Sequence, residues 1–137
     1  MGSAEVILLD THAAIWFTTD SGLGTRSQGI ADKALADDYL AISAVSFWEI
    51  AMLVAKRRLR SVDSATELRK RVLDSGINEL PVTGDIAIVA GNLEGLHGDP
   101  ADRFIIATAI AHDAMLMTAD QRLLEWHNKL KRQNAEK

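Results

Sequence analysis

The chain has 137 residues, of which 47% are hydrophobic and 25% charged, and its formal net charge is −4 at pH 7. This composition is typical of one globular domain and excludes a disordered chain, so we predict a single domain over residues 1–137. No apolar run approaches the roughly 20 residues of a membrane helix, and no membrane partner is expected. The absence of cysteine excludes disulfides and thiolate metal sites, and it fits a cytoplasmic protein. Residues 1–3 could be native or a cloning remnant.

Short apolar runs alternate with helical patterns along the chain. Strands are predicted at 5–10, 39–43, 77–82 and 114–118, and helices at 11–18, 26–36, 44–58, 64–75, 84–93, 99–113 and 119–131. This alternation predicts an α/β fold, a parallel sheet with helices on both faces. The stretch 128–137 is interpreted as a frayed helix end and a polar C-terminal tail, and it contains no evident fifth strand.

Four carboxylates lie within or beside these apolar stretches. Asp10 ends the first strand, Glu49 lies inside an apolar helix, Asp102 falls in the first turn of the helix after Asp99 and Pro100, and Asp120 follows the fourth strand. A carboxylate drawn toward a core is costly unless it is paired, hydrogen-bonded or bound to a cation. Because ligands of open parallel sheets bind at the carboxyl ends of the strands, we expect the four to converge there.

The donor chemistry favours magnesium, which prefers oxygen ligands and is typically held by carboxylates together with substrate phosphates. The histidines are His12, His97, His112 and His127, and they form no close ligand pair, which disfavours zinc. Hard divalent cations can activate water for phosphodiester hydrolysis. Without the four carboxylates the formal net charge would be zero, so the acidic balance is weak evidence against a nucleic-acid substrate.

Each carboxylate also has a structural alternative. Asp10 and Asp120 could cap the helices that follow them, and Asp102 could interact only with the helix dipole. Glu49 has no such local role, because it lies in mid-helix among Phe47, Trp48 and Ile50.

The ordered motifs resemble those of PIN-domain ribonucleases, most closely the VapC-like toxins of bacterial toxin–antitoxin pairs. The resembling motifs are Ile7-Leu8-Leu9-Asp10-Thr11-His12 with Trp16, Ser43-x2-Ser46-x2-Glu49-Ile50, His97-x-Asp99-Pro100-x-Asp102-Arg103 and Thr118-Ala119-Asp120. They span residues 7–126, nearly the whole chain.

The resemblance implies a three-layer α/β/α fold with a four- or five-stranded parallel sheet, and an endoribonuclease dependent on one or two Mg²⁺ or Mn²⁺ ions. It assigns catalysis and metal binding to four acids, Asp10, Glu49, Asp102 and Asp120. It gives supporting roles to Thr11, Asp99 and Thr118, with Asp99 first of all a helix cap. A homodimer and a VapB-like antitoxin are the implied protein partners, and RNA is the implied substrate.

Several other residues keep two interpretations. His12 could contact RNA or be a hydrogen-bonded structural histidine. Arg103 and Arg122 could contact phosphate or pair with neighbouring acids, and surface pairing is favoured for Arg122. Trp16 and Trp48, together with Phe47, are interpreted as core or dimer contacts.

Three other functions fit parts of the pattern. A haloacid-dehalogenase-like phosphatase also begins with a strand and an aspartate, but it needs an acid at position 12, where this chain has His12. A phospho-receiver domain needs an aspartate after the third strand, where Leu80-Pro81-Val82 stands. A non-catalytic RNA-binding module is disfavoured because all four acids are present.

Overall fold

The fold is described from a computed structural model, which describes residues 5–96, 99–126 and 128–137. Within these ranges the strands are β1 (Ile7–Leu9), β2 (Leu40–Ser43), β3 (Asn78–Leu80), β4 (Met115–Thr118) and β5 (Arg132–Asn134). The helices are α1 (Thr11–Thr18), α2 (Thr25–Ala36), α3 (Val45–Ala55), α4 (Ala65–Asp74), α5 (Gly84–Asn92), α6 (Pro100–Ala111) and α7 (Gln121–Glu125). Four strands and six helices agree with the predicted elements to within a few residues. None of the described helices is long and apolar enough to cross a membrane.

All the strand pairs are parallel, and the strand order is β3-β2-β1-β4-β5. From β1 the chain builds outward to β3, and it then returns to place β4 on the other side of β1. The strand order therefore reverses between β1 and β4. In open α/β sheets such a reversal leaves a crevice outside the carboxyl ends of the strands.

The alternation of side chains along each strand creates two cores. Leu9 faces the layer formed by α1 to α4, where it belongs to one buried cluster with Ile15, Ile50 and Val72. Leu8 faces the opposite layer, whose core is built mainly on Ile105 and its neighbours in α6. Both leucines are fully buried, as expected for a strand covered on both faces. This arrangement confirms the predicted three-layer α/β/α fold.

The fifth strand corrects the prediction for the C-terminal stretch. The last helix ends at Glu125 and does not continue to residue 131, and β5 pairs with β4 along the sheet edge. The N–H of Leu116 donates to the Lys131 carbonyl at 2.9 Å, and the N–H of Ala135 donates to the Thr118 carbonyl at 2.9 Å. Ala135 is completely buried, so 128–137 is an integral part of the fold and not a polar tail.

A single arginine explains how so polar a segment is held in place. The Arg132 guanidinium donates to the backbone carbonyls of Leu123, Trp126, Asn128 and Leu130. Those carbonyls belong to the end of α7 and the segment that follows it, and the last carbonyls of a helix have no partner within the helix. The three residues of β5 show no apolar alternation, and for that reason the strand escaped prediction.

Candidate active site

The four carboxylates that the sequence predicts to form the site line one cavity of about 350 Å³ at the carboxyl edge of the sheet. A fifth carboxylate, that of Asp99, lines it as well, and we call this space the acidic cavity after Asp10, Glu49, Asp99, Asp102 and Asp120. The acids come from separate elements: the end of β1, helix α3, the start of α6 and the end of β4. The convergence expected from the sequence is therefore present.

Asp10 is held at the junction of β1 and α1. Its backbone N–H donates to the Met117 carbonyl at 3.0 Å, and its Oδ1 accepts the N–H of Ala13 at 2.8 Å, which caps α1. The side chain is buried, and desolvation raises the pKa of Asp10 while the neighbouring Thr118 hydroxyl works in the opposite direction. Asp10 thus caps a helix and also faces the cavity.

Glu49 lies in the second turn of α3, where burial raises the pKa of its carboxyl group. The Thr11 hydroxyl lowers this pKa, and the negative charge of Asp99 raises it further. Thr11 also contacts Ser46, one turn before Glu49, at 3.0 Å between hydroxyl oxygens. Since both hydroxyl residues are buried, this contact fixes α1 against α3 and so fixes the place of Glu49.

Asp99 and Asp102 begin helix α6. Asp99 is the N-cap, as predicted, and its Oδ1 accepts the N–H of Ala101 at 2.9 Å. Burial and the charges of Glu49, Asp120 and then Asp99 together raise the pKa of Asp102 to about 7. The negative charges of the carboxylates that line the cavity therefore exceed the positive charge that its own side chains supply.

Asp120 is the N-cap of α7, and its Oδ1 accepts the N–H of Arg122 at 2.9 Å. The Arg122 guanidinium forms an ion pair with Asp120 at 3.0 Å and approaches Asp102 at 3.7 Å. Hydrogen bonding to Arg122 lowers the pKa of Asp120, whereas the longer contact leaves the pKa of Asp102 raised by the surrounding acids.

The donor set fits a hard divalent cation, because it is made of carboxylate oxygens and of excess negative charge. Within the described residues, no three acid or histidine side chains stand close enough to share one ion. An ion bound here would therefore be held by one or two of the carboxylates, together with water and substrate oxygens. Part of the charge is balanced by Arg122, which the sequence assigned to surface pairing.

The remaining predicted residues fall into different surroundings. His12 is exposed and lines the cavity beside Trp16, with 6.5 Å between ring centroids. Thr118 is buried, and its hydroxyl accepts the N–H of Asp120 at 3.0 Å. His97 of the sequence motif lies outside the described residues.

The contacts of Arg103 differ from the phosphate contact that was considered for it. Its guanidinium donates to the carbonyls of Ala90, Gly91, Leu93 and Leu96, at 2.8 to 3.3 Å. These bonds join α6 to the end of α5 and the loop after it. RNA contact by Arg103 stays a prediction, and the observed contacts favour a structural role.

Two residues with a predicted structural role, Arg122 and Trp16, also belong to the cavity wall. Arg122 pairs with neighbouring acids at an exposed position, as the sequence favoured, and its place two residues after Asp120 is the signal for that contact. Trp16 packs against the buried cluster of the layer formed by α1 to α4, in agreement with its interpretation as a core contact, and it also lines the cavity. Its spacing of four residues from His12 places both on one face of α1.

Comparisons with known proteins agree with this arrangement. The PIN domain family model matches residues 7–127. The chain is 33% identical over 119 residues to Ribonuclease VapC22 of Mycobacterium tuberculosis (strain ATCC 25618 / H37Rv), covering 85% of this chain and 88% of that protein.

Solved structures share the fold. One is VapBC2 from Rickettsia felis bound to a DNA fragment from their promoter, with a TM-score of 0.67, 20% identity, and coverage of 94% of this chain and 98% of the other. Another is Mycobacterium tuberculosis VapC20, described as a sarcin-ricin loop cleaving toxin, with a TM-score of 0.53, 17% identity, and coverage of 80% and 86%. With a family model that spans nearly the whole chain and an acidic cavity at the predicted sheet edge, this chain belongs to the PIN-domain family.

Proposed function

We propose that this chain is an endoribonuclease that hydrolyses RNA phosphodiester bonds with one or two Mg²⁺ or Mn²⁺ ions, and that it is the toxin of a toxin–antitoxin pair. The observation that carries the proposal is the convergence of four carboxylates, from four elements, on one cavity at the strand-order reversal of a PIN-domain chain. The ribonuclease to which it is 33% identical supports the same activity.

Asp10, Glu49, Asp102 and Asp120 would hold the ions. A bound divalent ion supplies a Lewis acid that lowers the pKa of a water molecule and offsets charge on the phosphoryl oxygens. The caps made by Asp10 and Asp120 fix two of the carboxylates on rigid helix starts, and the Thr11 contact with Ser46 fixes the helix of Glu49. Such preorganisation limits the reorganisation needed when the substrate binds.

Asp99 and Thr118 would act on these ligands and not on RNA. Asp99 adds negative charge beside Glu49 and Asp102, and it holds the first turn of α6. Thr118 lies next to Asp10 and binds the backbone of Asp120, so it links two of the acids. His12 and Trp16, at the cavity wall, are the side chains best placed to meet the substrate.

An antitoxin and a second copy of the chain are the proposed protein partners. Several solved structures of the same fold are VapBC complexes, which supports a cognate antitoxin of VapB type. Trp48 and Ile88 are large apolar side chains with 48% and 65% exposure, which supports a homodimer that would cover them. A cytoplasmic site of action, where RNA and antitoxin are both present, belongs to the same proposal.

The receiver alternative loses support from the topology. The loop after β3, where a phosphoacceptor would be required, follows an edge strand that β2 separates from β1, the strand that ends in Asp10. The phosphatase alternative predicts a trapped aspartyl-phosphate on Asp10, which our proposal excludes because water attacks the phosphorus directly.

RNA cleavage by the wild type and by Asp10→Asn, with Mg²⁺ and with EDTA, tests the proposal. We expect EDTA to abolish cleavage and Asp10→Asn to reduce its rate by about 10²-fold or more, the scale of losing a group that acts on the reacting atoms. Asp74→Asn, at an exposed position outside the cavity, is the matched control and should cleave as the wild type does. Equal cleavage by Asp10→Asn, or cleavage that persists in EDTA, would exclude the mechanism.

A further inference from the structure

Arg122 occupies an unusual place for an exposed arginine. Its Nη2 lies 3.0 Å from Asp120 Oδ2 and 3.7 Å from Asp102 Oδ2, so one guanidinium reaches acids that come from two different elements. Its Nε also donates to Asp120 Oδ1 at 3.3 Å. Asp120 therefore presents both carboxylate oxygens to the same guanidinium.

No other lysine or arginine lines the acidic cavity in the described part of the chain. Five carboxylates face this space, and Arg122 alone supplies a permanent positive charge among the lining residues. The two acids it touches are also two of the four proposed metal ligands. Its guanidinium thus serves the electrostatic purpose that a divalent cation would serve.

A metal ion and this guanidinium would compete for the same oxygen atoms. A divalent ion binds carboxylate oxygens at about 2.0–2.6 Å, and a guanidinium at hydrogen-bonding distance from both Asp120 oxygens obstructs that approach and repels the ion. The Arg122 side chain is 63% exposed, so it can leave without breaking a packed core. Ion pairs as exposed as this one are weak.

We propose that Arg122 is a built-in counter-cation, which neutralises Asp120 and Asp102 in the metal-free protein and is displaced when a divalent ion binds. The inference rests on the proposed metal-dependent function. It predicts that Arg122 weakens metal binding at equilibrium, because the ion must first break the arginine's contacts. It also predicts that removing Arg122 leaves the fold intact.

Titration of metal-stripped protein with Mn²⁺, followed by electron paramagnetic resonance of the free ion, measures this competition. We expect the Mn²⁺ dissociation constant of Arg122→Gln to be about three- to tenfold lower than that of the wild type, the scale of a partly exposed ion pair and a neighbouring charge. Arg122→Lys retains the charge but loses the two-pronged contact with Asp120, and it should lie between the two.

The matched control is Arg69→Gln, which removes an equally charged arginine from an ion pair with Glu79 at 2.7 Å, and neither residue lines the acidic cavity. It accounts for the general effect of deleting one positive charge, and its Mn²⁺ affinity should stay within about 1.5-fold of the wild type, since exposed charges far apart are screened. Circular dichroism melts establish that each variant is folded.

A second measurement follows Arg122 itself. The side-chain Nε–H resonance of Arg122, assigned by its loss in Arg122→Lys, should shift when Mg²⁺ saturates the protein, because its bond to Asp120 is broken. The corresponding resonance of Arg69 should stay in place.

The outcomes separate the two proposals. If the wild type binds Mn²⁺ and Arg122→Gln binds it equally or more weakly, or if the Arg122 resonance does not respond to Mg²⁺, the counter-cation inference is wrong and the proposed function stands. If neither the wild type nor Arg122→Gln binds Mn²⁺, and the wild type cleaves RNA in EDTA, the proposed metal-dependent function is wrong. The counter-cation inference, which rests on it, is then wrong as well.

Discussion

Single residues in the acidic cavity serve structure and site together. Asp10, Asp99 and Asp120 each cap a helix and each face the cavity. The capping interpretation and the functional one are therefore not alternatives at these positions. A capping bond fixes the carboxylate on the helix start, and the second carboxylate oxygen keeps free lone pairs for another partner.

The raised pKa of Asp102 predicts how the free energy of unfolding of the metal-free protein depends on pH. This pKa is about 7 in the folded state and 3.8 in the ordinary reference state. The folded protein therefore binds this proton more tightly than the unfolded chain does. The stabilisation is fully present below pH 3.8 and is lost as pH rises through about 7.

Asp102→Asn should remove this loss. We expect the variant and the wild type to have similar free energies of unfolding near pH 5, and the variant to be more stable by about 1–2 kcal/mol at pH 8, after allowance for solvent screening. Urea unfolding at both pH values, in EDTA, measures the difference. A constant difference between the two proteins across this range would show that Asp102 does not titrate as described.

At the scale of elements, two arginines hold the connection between α5 and α6 and the connection between α7 and β5. Arg103 binds four carbonyls between α5 and α6, and Arg132 binds four between α7 and β5. Each planar guanidinium provides several donors in a fixed geometry. These connections lead into α6, which carries Asp102, and into β5, the edge strand beside β4.

Arg103→Met should destabilise the protein by about 2–3 kcal/mol, because it leaves partly buried carbonyls without donors. Arg103→Lys should recover only part of the loss, since an ammonium group cannot span the same set of carbonyls. Chemical denaturation measures both, and Arg71→Met, at an exposed position in α4, is the control. If Arg103→Met keeps full stability and loses RNA affinity, Arg103 is an RNA contact after all.

At the scale of the whole molecule, the start of α2 and the last residues of the chain pack against each other. The N–H of Gly24 donates to the Ala135 carbonyl at 2.8 Å, and the Ser27 hydroxyl donates to the Asn134 carbonyl at 2.8 Å. A Cβ at position 24 would overlap the backbone carbonyl carbons of Glu136 and Lys137. This contact ties the C-terminal segment to α2, in the layer formed by α1 to α4.

Two glycines near the start of α2 give opposite predictions. Gly24→Ala should destabilise the protein by about 1–3 kcal/mol, because the added methyl group displaces backbone. Gly29→Ala, inside the same helix with nothing within 4 Å of the new Cβ, should stabilise it by about 0.5–1 kcal/mol. Thermal unfolding of the two variants compares them directly. A destabilising Gly29→Ala, or a neutral Gly24→Ala, would contradict the packing.

The sequence by itself determined the elements and the acids. Apolar runs and caps such as Ser64 and Asp99 located four strands and six helices, because burial on both sheet faces and helix capping leave local patterns. The polar β5 leaves no such pattern. It exists because β4 offers an open edge and Arg132 satisfies the carbonyls around it.

Only the tertiary structure decided that the acids lie close enough together for their charges to interact. Strand order brings Asp10 and Asp120 together, and α3 and α6 add Glu49 and Asp102, through contacts between residues far apart in sequence. The same packing brings Arg103 to backbone carbonyls, partners that the sequence did not suggest. It also places Arg122, whose pairing with neighbouring acids the sequence favoured, at the acidic cavity. Local patterns encode burial, whereas the partner of a charged side chain depends on which distant segments the fold brings within reach.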